Sequence, residues 1–106
     1  MTIMQGDQYS LQFDFINNDE QPISREDISD VEIMIGYIRK TLSDGDILYH
    51  EGERTFLFPL SQADTFSMNP GTYKVQTRLK SIDGLVVGNE DAGTLIVSAA
   101  RSKEIL

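Results

Sequence analysis

Cysteine is absent from this 106-residue chain, and so is tryptophan. Without cysteine there is no disulfide framework, no thiolate metal site and no thiol nucleophile. Histidine occurs once, as His50. A hydrolytic triad would have to use it, and nothing resembling a nucleophile elbow accompanies it. Positive charge is scarce: 9 Lys and Arg stand against 17 Asp and Glu, a net charge of −8. That balance repels phosphate backbones and disfavours a nucleic-acid partner. No stretch approaches the roughly 18 apolar residues of a membrane helix, so no membrane partner is expected. Met1 to Asp7 contain neither a basic region nor an apolar run, so no secretory signal is expected there.

What the chain does contain is period-two alternation. Tyr9, Leu11, Phe13 and Phe15 fall on every second position, with Ser10, Gln12 and Asp14 between them, the pattern of a half-buried strand. Asn17 to Pro22 end it in a turn. Ser24 to Asp27 could open one short helical turn or form a polar loop. Alternation returns at Val31, Ile33, Ile35 and Tyr37, where Met34 and Ile38 on the other face suggest a central strand. Ser43 to Asp46 form a turn, Ile47 to His50 a short strand, and Gly52 to Arg54 a further turn. Phe56, Phe58 and Leu60 alternate, with Pro59 placing them at an edge or a strand end. Ser61 to Asp64 suggest a second capped turn, leaving Phe66 to plug the core. Asn69-Pro70-Gly71 precede the cleanest run, Tyr73, Val75, Thr77 and Leu79. Asp83-Gly84 then predict a hairpin whose return strand is Leu85 to Gly88. A last strand spans Thr94 to Ser98, and the tail Ala99 to Leu106 is a short helix or an arm.

These elements predict one all-β domain over residues 1–106, an Ig-like antiparallel β-sandwich of about seven strands. "Ig-like" describes architecture only, since the Cys…Trp…Cys pattern is missing. Residues 1–7 and 99–106 are candidate arms.

Chemistry-bearing clusters are few. Asp44 and Asp46, and Asn89-Glu90-Asp91, offer clustered oxygens of the kind Ca²⁺ prefers, but their spacing fits no twelve-residue calcium loop. Turn geometry explains acids at these positions as well. Gly6, Gly84 and Gly88 precede no helix that could cradle phosphate. The aromatic side chains fall mostly on the alternating face and are expected in the core; Tyr49 is the candidate for exposure. No catalytic residue, metal or cofactor is expected, and the protein is expected to act by binding rather than catalysis.

Several segments together resemble a known group. Ile3-Met4-Gln5-Gly6-Asp7-Gln8-Tyr9 opens into an alternating strand. Asp30-Val31-Glu32-Ile33 lead to Ile38-Arg39-Lys40, then come Phe56 to Gln62 and Gly71 to Gln76, and Ser102 to Leu106 close the chain. In this the chain is similar to small phage and prophage β-sandwich structural proteins. It is more distantly similar to the N-terminal sandwich of upper baseplate proteins from phages of Gram-positive hosts. The resemblance implies a virion structural protein made in the host cytoplasm, in the head as decoration or connector, or in the tail or baseplate. It implies other virion proteins as partners, and a homo-oligomer within a symmetric assembly. Ile3, Met4, Ile105 and Leu106, in the two terminal segments, are the candidate assembly contacts. The alternative is a carbohydrate-binding or host-surface adhesion module, with a host-surface glycan as partner.

Overall fold

A computed structural model describes residues 1–17 and 19–106. The alternating runs become strands that pack their apolar faces together. They are β1 (Thr2–Met4), β2 (Tyr9–Phe13), β3 (Ile28–Ile35), β4 (Ile38–Thr41), β5 (Leu48–His50), β6 (Thr55–Leu60), β7 (Gly71–Ser81) and β8 (Val86–Ser98). A five-stranded sheet has the order β1-β8-β7-β3-β4, and a three-stranded sheet the order β2-β6-β5. The fold is thus an all-β sandwich. Every pairing is antiparallel except β1 with β8, which is parallel and aligns Ile3 with Val97.

The core lies between the sheets. Val31, Ile33, Ile35, Val75, Leu95 and Val97 come from the larger sheet, and Leu11, Phe56, Phe58 and Leu60 from the smaller. Phe15 and Tyr49 meet Phe56 with ring centroids 5.5 and 4.9 Å apart. Burying each large side chain of this set contributes about 1.5–3 kcal/mol. β6 is the middle strand of its sheet. Pro59, however, lies beyond the Thr55–Leu57 stretch that β5 covers, so one of its flanks has no strand to bond.

The outer face of the larger sheet is held by charge. Glu32 stands opposite Arg78 in the β3–β7 register. It accepts hydrogen bonds from Arg78 Nε at 2.6 Å and from Arg39 Nε at 2.5 Å.

Several expectations are corrected. Among the described residues there are eight strands, because Thr2–Met4 form β1 rather than a free arm, and because the chain turns at Gly36 and Tyr37 into a separate β4, which leaves Tyr37 exposed rather than in line with Ile33 and Ile35. Ile3 is 5% exposed and belongs to the core, so it is not an available assembly contact. Asn89 to Gly93 do not separate two strands: β8 runs through them, and a register shift between Val75 and Thr77 of β7 absorbs the extra residues as a bulge.

The predicted capped turn is a short helix, α1 (Gln62–Ser67), closed by a capping box between Ser61 and Asp64. Thr65 and Met68, rather than Phe66, fill the core from it. Arg25–Asp27 make a single 3-10 turn without a side-chain cap from Ser24. The turn after β2 is closed by a bridge between Ile16 and Pro22, and its Asn18 lies outside the described residues. Residues 99–106 form no helix.

Candidate interaction surface

The two layers are of unequal length. β7 and β8 span 11 and 13 residues, whereas no strand of the smaller sheet exceeds 6. The far end of the β7–β8 hairpin therefore extends past the facing layer in a molecule 47 Å long and 24 Å wide. Register fixes which side chains this leaves open. Leu79 pairs with Val87, so both lie on the inward face, and Ser81 N–H donates to Leu85 O at 2.9 Å, which brings Leu85 to the same face. Leu85 and Val87 are each 67% exposed and Ile82, at the turn, 66%, while Val86, opposite Lys80, is exposed on the other face. Gly84, at φ +91°, supplies the left-handed residue that turns the chain between Ile82 and Leu85.

This strip runs into an opening between the sheets, a cleft of about 810 Å³. One wall is Leu11, Phe13 and Phe15; the other is Val75, Leu79 and Leu95. Asp14, Asn17 and Asn89 add polar groups to its lining.

On the opposite face of β7, Lys74, Arg78 and Lys80 form a basic row in an otherwise acidic protein. Arg78 is engaged by Glu32, while Lys74 and Lys80 have no ion-pair partner among the described residues. Glu90 and Asp91, on β8, have none either.

The expected contacts do not gather into one site. Met4 is exposed at the β1 edge, Ile105 is exposed, and Leu106 is fully exposed on the extended tail. That tail touches the domain through Lys103 on Gln5 Oε1 and the Leu106 amide on Gln62 Oε1 at 3.1 Å. His50 is exposed, and its Nδ1 accepts from the Glu53 amide at 3.3 Å, a turn contact. Asp44 and Asp46 are exposed in their turn, which Asp30 ties down by accepting from the Ser43 amide and hydroxyl. No group of three or more His, Asp or Glu side chains that could hold a metal occurs among the described residues. Tyr49 is half-buried against Phe56; Tyr9 and Tyr37 are the exposed aromatics.

Alternation alone missed the hairpin strip, because Val87 and Leu79 read as ordinary core positions. The one available signal was length: β7 and its return strand together exceed any run that could face them.

The Gln5-Gly6-Asp7 motif is a clip rather than a site. Gln5 Nε2 donates to Met68 O at 2.9 Å, and Gln5 Oε1 accepts from the Ala100 amide at 3.2 Å. The Gly6 amide donates to Thr65 Oγ1 at 2.8 Å, and that hydroxyl donates to Asp7 O at 2.9 Å. Comparison with family models, with curated proteins and with solved structures gives no match.

Proposed function

We propose that this protein is a phage virion structural protein that works by protein–protein assembly, as a head decoration or connector or as a tail or baseplate component. The observation that carries the assembly reading is the β7–β8 hairpin, which leaves Leu85 and Val87 exposed on one face, with Ile82 exposed at the turn beside them. A contiguous apolar patch on a water-facing surface carries a standing hydration cost and marks an interaction site. The phage setting rests on the likeness of the Gln5-Gly6-Asp7 opening and the segments that follow it. The Gln5-Gly6-Asp7 clip ties β1, α1 and residue Ala100 together, which favours a structural role for that motif.

A carbohydrate-binding role ranks second. Its supporting observation is the exposure of Tyr9 and Tyr37. They lie on different sheets, Tyr9 on β2 and Tyr37 between β3 and β4, so they form no common stacking platform.

The test is quantitative mass spectrometry of purified particles from the encoding phage. Copies near the number of the major shell protein would place it on the head, and a small fixed number in the neck, tail or baseplate. Absence from the particle would overturn the reading.

A further inference from the structure

The β7–β8 hairpin joins an unpaired strand edge to an uncovered apolar strip, and we infer that a second copy of this chain pairs with that edge. One flank of β8 is bonded to β7. The other meets β1 only at Ile96 to Ser98, with Met1 closing on Thr94 and Ile96. From Val86 to Gly93 that flank has no strand beside it among the described residues. Proteins blunt such edges with charge, proline or a bulge. Here Glu90, Asp91 and the bulge guard the lower half, while Leu85 to Asn89 carry neither charge nor proline.

The direction of the backbone groups follows from the ladder. Leu85 O accepts from Ser81, so Leu85, Val87 and Asn89 turn their bonding groups toward β7. Val86 and Gly88 turn theirs outward, because the antiparallel pattern alternates, and Glu90 follows them where the ladder to β7 breaks into the bulge. A second β8 laid antiparallel about a two-fold axis at Gly88 uses both. Gly88 then meets its own copy, and Val86 meets the partner's Glu90.

Charge favours this occupant over a foreign strand. Val86 pairs with Lys80 inside each hairpin. The register therefore sets each Glu90 two strands, about 10 Å, from the partner's Lys80, within reach of the long side chains. Neither has an ion-pair partner within its own chain among the described residues. The segment thus has an uncharged centre, an anion on one side and a matching cation on the other, as an isologous interface requires. The partner's turn at Ile82 to Gly84 would end near Thr94, beside the exposed Met1. The two five-stranded sheets would run on as one.

The inference rests on the same surface as the assembly reading, yet the two fail separately. A monomer that still enters particles would sink this inference alone, and a dimer absent from particles would sink only the virion role.

The experiment is sedimentation equilibrium of the full chain up to about 0.5 mM, above the micromolar range expected for a small interface. The mass should rise with concentration from 11.9 kDa to twice that value. Val86→Pro removes an outward N–H that bonds nothing in the monomer, and Val87→Lys charges the strip. Each should leave a monomer with unchanged circular dichroism. Lys80→Glu and Glu90→Lys should each raise the dimer Kd by about fivefold, and the double reversal should restore it. Amide exchange at Val86 and Gly88 should slow as concentration rises. A wild-type protein that stays monomeric, or a dimer indifferent to Val86→Pro and to the charge reversals, would overturn the inference.

Discussion

Gly6 lies directly against the ring of Phe66: a Cβ at position 6 would come within 2.6 Å of Phe66 Cζ. The same residue has φ +88°, a conformation that side chains other than glycine's rarely adopt. Contact and conformation together fix the turn that carries the chain from β1 to β2, and they seat α1 beneath it. Two separate strains would therefore appear on adding one methyl group.

Gly6→Ala should accordingly destabilise the fold by about 2–3 kcal/mol, with the backbone strain the larger part. Thermal denaturation should show a fall of roughly 10 °C or more. Adding Phe66→Ala should return only the part owed to the clash. An unchanged melting temperature in the single variant would contradict the geometry described.

Gln5 is buried, with both ends of its amide bonded, to Met68 O and to the Ala100 amide. Gln5→Leu keeps the volume but orphans both partners, at a cost of about 1–3 kcal/mol. Urea unfolding should give that loss. Hydrogen exchange should quicken at Ala100 specifically, whereas a general packing defect would quicken the whole core.

Glu32 is held at a pKa of about 2, below its ordinary 4.5, first by the Arg78 hydrogen bond, with Arg39 adding to it against the opposing effect of burial. Because the folded-state value is the lower one, the stabilisation is complete above pH 4.5 and is lost as pH falls toward 2. Both guanidiniums are more than half exposed, so solvent screening keeps the effect below about 1 kcal/mol. Glu32→Gln should flatten the acid limb of a stability-against-pH curve, and salt should shrink the difference from wild type. An acid limb of equal slope in both proteins would remove Glu32 as its source.

Deleting Ser102 to Leu106 removes residues that are all exposed. Melting should shift by no more than a few degrees, the range of surface changes. Incorporation into particles should fall, because Ile105 and Leu106 contribute little to the monomer's own core. Normal incorporation of the truncated chain would confine assembly to the hairpin.

Much of the fold was legible where burial acts through neighbouring residues. Phe56, Phe58 and Leu60, or Val75 and Thr77, alternate because each strand has one wet and one dry face, and Asp83-Gly84 announces its hairpin through turn chemistry alone. β1 was not legible. Its three residues carry no local signal, and Ile3 is buried by a partner near the opposite end of the chain. The bulge at Asn89 to Gly93 mimicked a loop, since glycine and acids serve both. The candidate surface was hidden for another reason. Alternation at Leu79 and Val87 tells which way a side chain points, but not whether the facing layer reaches that far.

β1 adds to β8 in parallel across 95 positions of chain, as the bond from Ser98 to Ile3 shows. During synthesis at 5–20 residues per second, β1 waits about 5–20 s for the strand that receives it. Through that interval Ile3 stays uncovered and the Gln5 clip has no Ala100 to hold. The sandwich can therefore close only after residue 98 has been made, so the first strand synthesised is among the last to be seated. Any chaperone or scaffold that assists the protein would meet it with that gap still open.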